Sequence, residues 1–169
     1  MSGDKNRKDM VETLRRVDVL RDIADEHLDE LAAFTQCDLF PEGAVIFREG
    51  DPPSRIYLID DGHVALEISV PGGRAKRIMT LSSGELLGWT PLLGEVKMTA
   101  TARTLSPTRA CGIDARQILA LCEQNPKFGY EFMRRTALAM LKRLTATRLQ
   151  LLDVYQHDLP SAVDEEAGS

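Results

Sequence analysis

Ser82-Ser83-Gly84-Glu85-Leu86-Leu87-Gly88-Trp89-Thr90-Pro91-Leu92-Leu93-Gly94-Glu95-Val96-Lys97-Met98-Thr99-Ala100-Thr101-Ala102-Arg103-Thr104 reads as a glycine-opened turn, a loop and then a strand of small residues. A turn that opens at Gly84 can aim consecutive backbone N–H groups at one point, and such nests bind anions with little side-chain charge. Glu85 beside it offers a carboxylate to sugar hydroxyls. Thr99, Ala100, Thr101 and Ala102 are slim enough for a ligand to lie against the strand. The stretch predicts a pocket for something flat and anionic.

Outward from this stretch, short β-type runs follow one another between Asp38 and Ile113: Ala44–Arg48, Arg55–Ile59, His63–Val70, Lys76–Leu81 and Met98–Leu105. Turn residues separate them, among them Pro41-Glu42-Gly43, Gly50-Asp51 and Gly62, and even spacing of this kind predicts a sandwich or jelly roll. The glycines are expected at positive φ, which glycine reaches without strain. Helical spacing flanks the strands. Two short helices are expected over Val11–Val17 and Glu26–Phe34, the second with Asp25 as N-cap, and another over Ala115–Glu123. Asn125-Pro126 marks the entry to a long helix over 126–155. Its Leu138, Leu141, Leu144, Leu149, Leu151, Leu152 and Tyr155 form a stripe that wants a partner, either a second copy across a two-fold axis or the helix's own domain.

The stretch from Gly84 resembles the phosphate-binding cassette of the cyclic nucleotide-binding domain superfamily, of the catabolite activator and oxygen-sensing regulator type. That cassette runs Gly-Glu, a variable loop, then Arg-Ala/Thr-Ala-Thr/Ser-Val/Ala. The resemblance implies an α+β protein: a β jelly-roll (double-stranded β-helix) flanked by short N-terminal helices and a long C-terminal dimerisation helix. It places Gly84 and Glu85 at the ribose and phosphate turn, Leu86 and Leu87 on the pocket floor, and Met98 and Thr99 at the phosphate-facing pair. Arg143-Leu144-Thr145-Ala146-Thr147-Arg148 is similar to the segment from which catabolite-activator relatives contact the purine, with Thr147 at the base and Arg143 one turn before it. The implied ligand is a cyclic nucleotide, cyclic AMP or cyclic GMP. This chain departs from the pattern at the phosphate arginine, where Met98 stands with Lys97 just before it. A lysine makes only a point contact with phosphate, and strand alternation points adjacent side chains to opposite faces, so Lys97 replaces the arginine only if the strand starts after it. Glu85 has a structural alternative, closing on nearby backbone N–H groups or an arginine. Trp89 either covers the pocket mouth or packs in the core. The Gly88-Trp89 variant and the ending of the long helix resemble stand-alone bacterial domains of this superfamily.

The chain has 169 residues and 43% hydrophobic content, enough for one cored domain. The expected division is a disordered N-terminus over 1–10, the domain over 11–155 and a disordered acidic tail over 156–169. That tail leaves no room for a winged helix-turn-helix, and the net charge of −5 argues against a nucleic-acid coat, so no direct DNA binding is expected. No apolar run spans a bilayer, and Met1–Lys8 lacks a signal-peptide core, so no membrane and a cytoplasmic location are expected. Cys37, Cys111 and Cys122 are dispersed and read as buried structural thiols, since an iron–sulfur regulator needs about four clustered cysteines. His27, His63 and His157 are too scattered for a metal site. No catalytic motif is present, so the chain is not expected to be an enzyme. The resulting expectation is a homodimeric regulatory module that senses ligand through the cassette, couples it to the dimer helix and signals to a protein partner. Met98 keeps two other readings open: a ligand-independent dimeric interaction scaffold, or a sensor of a different small molecule such as an apolar anion.

Overall fold

Eight short strands between Thr35 and Asp114 form two four-stranded antiparallel sheets in the computed structural model, which describes residues 2–158. One sheet has the order β1 (Thr35–Phe40), β8 (Thr108–Asp114), β3 (Arg55–Asp61), β6 (Leu86–Leu87). The other runs β2 (Val45–Phe47), β7 (Thr101–Thr104), β4 (His63–Ile68), β5 (Lys76–Ser82). This is the jelly roll of an α+β protein. The strand period of two explains the core. Ile59, Val64, Leu81, Leu87 and Ala102 meet between the sheets, with Ile46, Phe47, Tyr57, Leu66 and Met79 packed around them. On β3 the alternate residues Ile56 and Leu58 are also buried, so both faces of that strand are covered.

The turn glycines Gly43, Gly50, Gly62 and Gly84 all take positive φ, as the turns require. Gly62 also permits a close approach, because a Cβ there would lie 2.5 Å from Thr108 Oγ1 and 2.8 Å from the Pro107 carbonyl.

Four helices surround or extend the sheets. Helix α1 covers Ser2–Arg15, so residues 2–10 are helical where their composition suggests disorder. Its reason is tertiary: Arg7 donates to the Asp29 carboxylate at 3.2 Å, and Met10 Sδ lies 3.6 Å from Cys37 Sγ. Helix α2 (Asp25–Ala32) is shorter than expected and Asp25 is its first helical residue; the cap position is Ala24, without a side-chain hydrogen bond. Helix α3 (Ala115–Gln124) is capped by Asp114, whose carboxylate accepts from Arg116 N at 2.8 Å and Gln117 N at 3.3 Å. Helix α4 (Pro126–Asp158) begins at the proline that the sequence marks and runs three residues beyond the expected end. The acidic tail from residue 159 onward lies outside the described residues.

Cys37 and Cys111 sit directly opposite each other in the β1–β8 register and are joined as a disulfide, which corrects the expectation of free thiols at these two positions. Cys122 is free. On β3, the nearly buried Asp60 carboxylate accepts from Arg16, just past α1, at 2.7 Å and from Arg109 of β8. No helix among the described residues is long and apolar enough to cross a membrane, and no group of them could hold a metal ion.

The chain divides into two units, residues 1–136 and 137–169. Among the described residues, the second holds the part of α4 from residue 137 to 158. Along it Leu138, Leu141, Leu144, Leu149, Leu151, Leu152, Val154 and Tyr155 are all exposed.

Candidate functional site

The Gly84 turn is closed on itself. Gly84 N donates to the Ile59 carbonyl at 2.8 Å, Glu85 N to the Ser82 carbonyl at 3.2 Å, and Ile59 N returns to the Glu85 carbonyl at 3.0 Å. The Glu85 carboxylate accepts from Ser82 N at 2.8 Å and from Ser82 Oγ at 3.3 Å. On the outer side, the Gly84 carbonyl accepts from Asp18 N at 2.9 Å. The Gly84 and Glu85 N–H groups are thus engaged within the turn, and the Glu85 carboxylate closes on Ser82. Leu86 and Leu87 are buried where β6 pairs with β3, and Leu87 belongs to the core between the sheets. None of these four residues lines the small cavity formed by the following turn.

The cavity lies one turn further along the chain. Gly88, Trp89 and Thr90 form one wall, Met98, Thr99 and Ala100 another, and Phe47 and Leu66 close it from the second sheet. Its volume is about 30 Å³, room for a water molecule, whereas small-molecule sites generally run to hundreds of Å³. Gly88 has φ +72°, and a Cβ on it would lie 3.0 Å from Phe47 Cε1 and 3.2 Å from Met98 Cε. Glycine at this position lets the phenyl ring and the thioether pack onto the turn. Pro91 then starts a 3-10 helix over Thr90–Leu93, which buries Thr90.

Met98 is only 5% exposed. Its backbone is fixed on both sides, since Met98 N donates to the Asp51 carbonyl at 3.0 Å and Gly50 N donates to the Met98 carbonyl at 2.8 Å. Although β7 proper starts at Thr101, this pairing imposes strand-like alternation earlier, and Lys97 and Thr99 are exposed on either side of the buried Met98. Lys97 does not line the cavity. No residue lining the cavity carries a charge. Arg103 on the neighbouring strand is held by Glu67 at 3.2 Å and by the Gly43 carbonyl at 3.2 Å. Beside the cavity, Tyr57 stacks on Phe47 with ring centroids 6.0 Å apart, and burial pushes its phenol above the ordinary value, against a smaller opposite pull from Arg55.

Arg143 and Thr147 belong to the second unit. Arg143 is 9% exposed, and the Thr147 hydroxyl donates to its carbonyl one turn back at 2.9 Å. A hydroxyl turned onto its own helix is a common threonine arrangement that requires no ligand. Of the residues read from the sequence as ligand-binding, the structure thus brings Met98 and Thr99 to the cavity. The residues missed as its wall are Gly88, Thr90, Phe47 and Leu66. Gly88 was legible as a second glycine in the same stretch, paired with Trp89.

A larger, open cavity of about 620 Å³ lies at the α3–α4 corner, lined by Leu119, Cys122, Pro126 and Met133 among others. Burial pushes the Cys122 thiol up, so this cysteine is a poor nucleophile.

Comparison with known proteins gives a consistent answer. The sequence profile of the cyclic nucleotide-binding domain matches residues 38–125, just over half of the chain. The chain is 24% identical over 157 residues to a CRP-like cAMP-activated global transcriptional regulator of Mycobacterium tuberculosis, covering 93% of this chain and 68% of that protein. It is 30% identical over 129 residues to a cyclic AMP receptor protein of Thermus thermophilus, covering 76% of this chain and 58% of that one. Among solved structures, a cyclic nucleotide-binding domain from Methylobacillus flagellatus superposes with a TM-score of 0.75 at 20% identity, over 95% of this chain and 88% of its own.

Proposed function

The chain belongs to the cyclic nucleotide-binding domain family, and we propose that it serves there as a regulatory module whose cassette stands closed without a cyclic nucleotide. One observation carries this reading: the wall where an anionic phosphate would lie has no charged side chain, and Met98 and Phe47 fill the space against Gly88. A guanidinium–phosphate hydrogen bond is typically worth about 1.5–3 kcal/mol, which is roughly a ten- to hundred-fold in affinity. The module acts through α4, whose exposed leucines from Leu138 to Leu152 suit pairing with a second copy, and passes its state to a protein partner. Its site of action on this reading is the cytoplasm. Isothermal titration of the purified chain with cyclic AMP and cyclic GMP tests the reading. No heat up to millimolar nucleotide supports it, and micromolar binding overturns it.

A second reading rests on the family relatives named for cyclic AMP. In it the chain senses a cyclic nucleotide, and binding first moves Trp89 and Met98 aside. A ligand acts that way only if it prefers the opened arrangement strongly enough to displace the closed one.

A further inference from the structure

At the corner where α3 gives way to α4, a histidine and an asparagine hold the start of the long helix. Asn125 Oδ1 accepts a hydrogen bond from Phe128 N at 3.2 Å and so caps the first turn of α4. That bond fixes the orientation of the amide, because only its oxygen can accept from an N–H. The other end, Nδ2, is then a donor, and it faces His27 Nε2 at 3.4 Å. Nε2 must accept, which requires a neutral imidazole with its proton on Nδ1. That nitrogen has no hydrogen-bond partner and lies 3.6 Å from Glu30 Oε1, while the ring packs 5.1 Å from the Phe128 ring.

We infer that His27 is a proton-operated latch on the N-terminus of α4. Histidine exchanges its second proton between about pH 5 and 8. When Nε2 takes up a proton from solvent, two donors face each other, and only the Asn125 oxygen can relieve the clash. The amide turns, Phe128 N loses its cap, and the cationic ring gains a charge-assisted contact with Glu30 through Nδ1. Neutral His27 therefore leaves the Asn125 oxygen on Phe128 N, and protonated His27 draws that oxygen away to Nε2 while Nδ1 keeps facing Glu30.

The surrounding charges leave Glu30 as the group that answers the ring. On α1, Arg7 and Arg15 are held by Asp29 and Asp25. On α4, Arg135 is held by Asp22 and Glu131. Glu123 at the end of α3 and Lys127 in the first turn of α4 are exposed. The latch does not depend on whether the cassette takes a ligand.

Nuclear magnetic resonance on the full chain tests it with two readouts. At pH 7.5 the imidazole nitrogen shifts of His27 are expected to report the Nδ1–H tautomer; the Nε2–H tautomer overturns the proposal. Between pH 7.5 and 5.5, hydrogen-exchange protection of the Phe128 amide, corrected for intrinsic rates, is expected to fall about fivefold, the size of a lost side-chain cap. Equal protection at the two values overturns it. His27→Gln should remove the pH response, since the glutamine oxygen still accepts from Asn125 at every pH; a response that persists contradicts the latch. Asn125→Asp should reverse the response, because a carboxylate both caps Phe128 N and welcomes the protonated ring. An unreversed response also counts against it.

Discussion

Two glycine-opened turns stand four residues apart in one stretch, and they do different work. The Gly84 turn directs its N–H groups inward to Ile59 and Ser82, and its glutamate bonds back onto Ser82. The Gly88 turn presents its open side to a small apolar cavity, where Phe47 and Met98 lie on it. In sequence the first looks more like an anion site, because it carries the Gly-Glu pair. The assignment of hydrogen bonds reverses that order. A turn can bind a ligand only with donors the fold has left available, and every buried backbone group tends to find a partner.

Charge at the second turn should break the comparison most severely. Met98→Arg buries a guanidinium with no anion to meet it, and the expected loss of stability is about 3 kcal/mol, measured by urea unfolding. If the cassette stays closed as proposed, addition of cyclic AMP should not restore that loss; full rescue would show a pocket able to open. The next effect compares the glycines themselves. Gly88→Ala meets Phe47 and Met98 at close range as well as an unfavourable φ, so about 2–3 kcal/mol is expected. Gly84→Ala has the φ penalty but its nearest neighbour stands 3.5 Å away, and about 1 kcal/mol is expected. Equal costs at the two sites would remove the distinction.

Glu85→Ala sharpens the comparison from the other side. It leaves Ser82 N without its charged acceptor, and a loss of about 2 kcal/mol is expected, with no change in any ligand titration. A change in ligand affinity without loss of stability would restore Glu85 as a binding residue. The smallest effect concerns pH. Burial favours the neutral phenol of Tyr57, raising its folded value above the unfolded one, so its contribution is complete below about pH 10 and is lost as pH rises through the folded value. Urea unfolding at pH 9 and pH 11 should show a decline that is reduced in Tyr57→Phe.

Much of the fold was legible because its signals are local. Strand alternation, glycine-opened turns and Asn125-Pro126 are read within a few residues, and the sheets and the start of α4 follow them. What stayed hidden depends on partners far away in sequence. Residues 2–10 are polar enough to read as disordered, and they are helical where Arg7 reaches Asp29 and Met10 reaches Cys37. Cys37 finds Cys111 only because β1 and β8 are neighbours in that register. The cavity was half legible for the same reason: Met98, Thr99 and Trp89 lie in the stretch itself, while Phe47 and Leu66 arrive from other strands.

Trp89 is the sole tryptophan and lies in the cavity wall, so its fluorescence reports directly on the central claim of a cassette closed by its own side chains. Titration with cyclic AMP and cyclic GMP up to millimolar concentration should leave its emission unchanged in wavelength and intensity. A saturable shift at micromolar nucleotide would contradict the account.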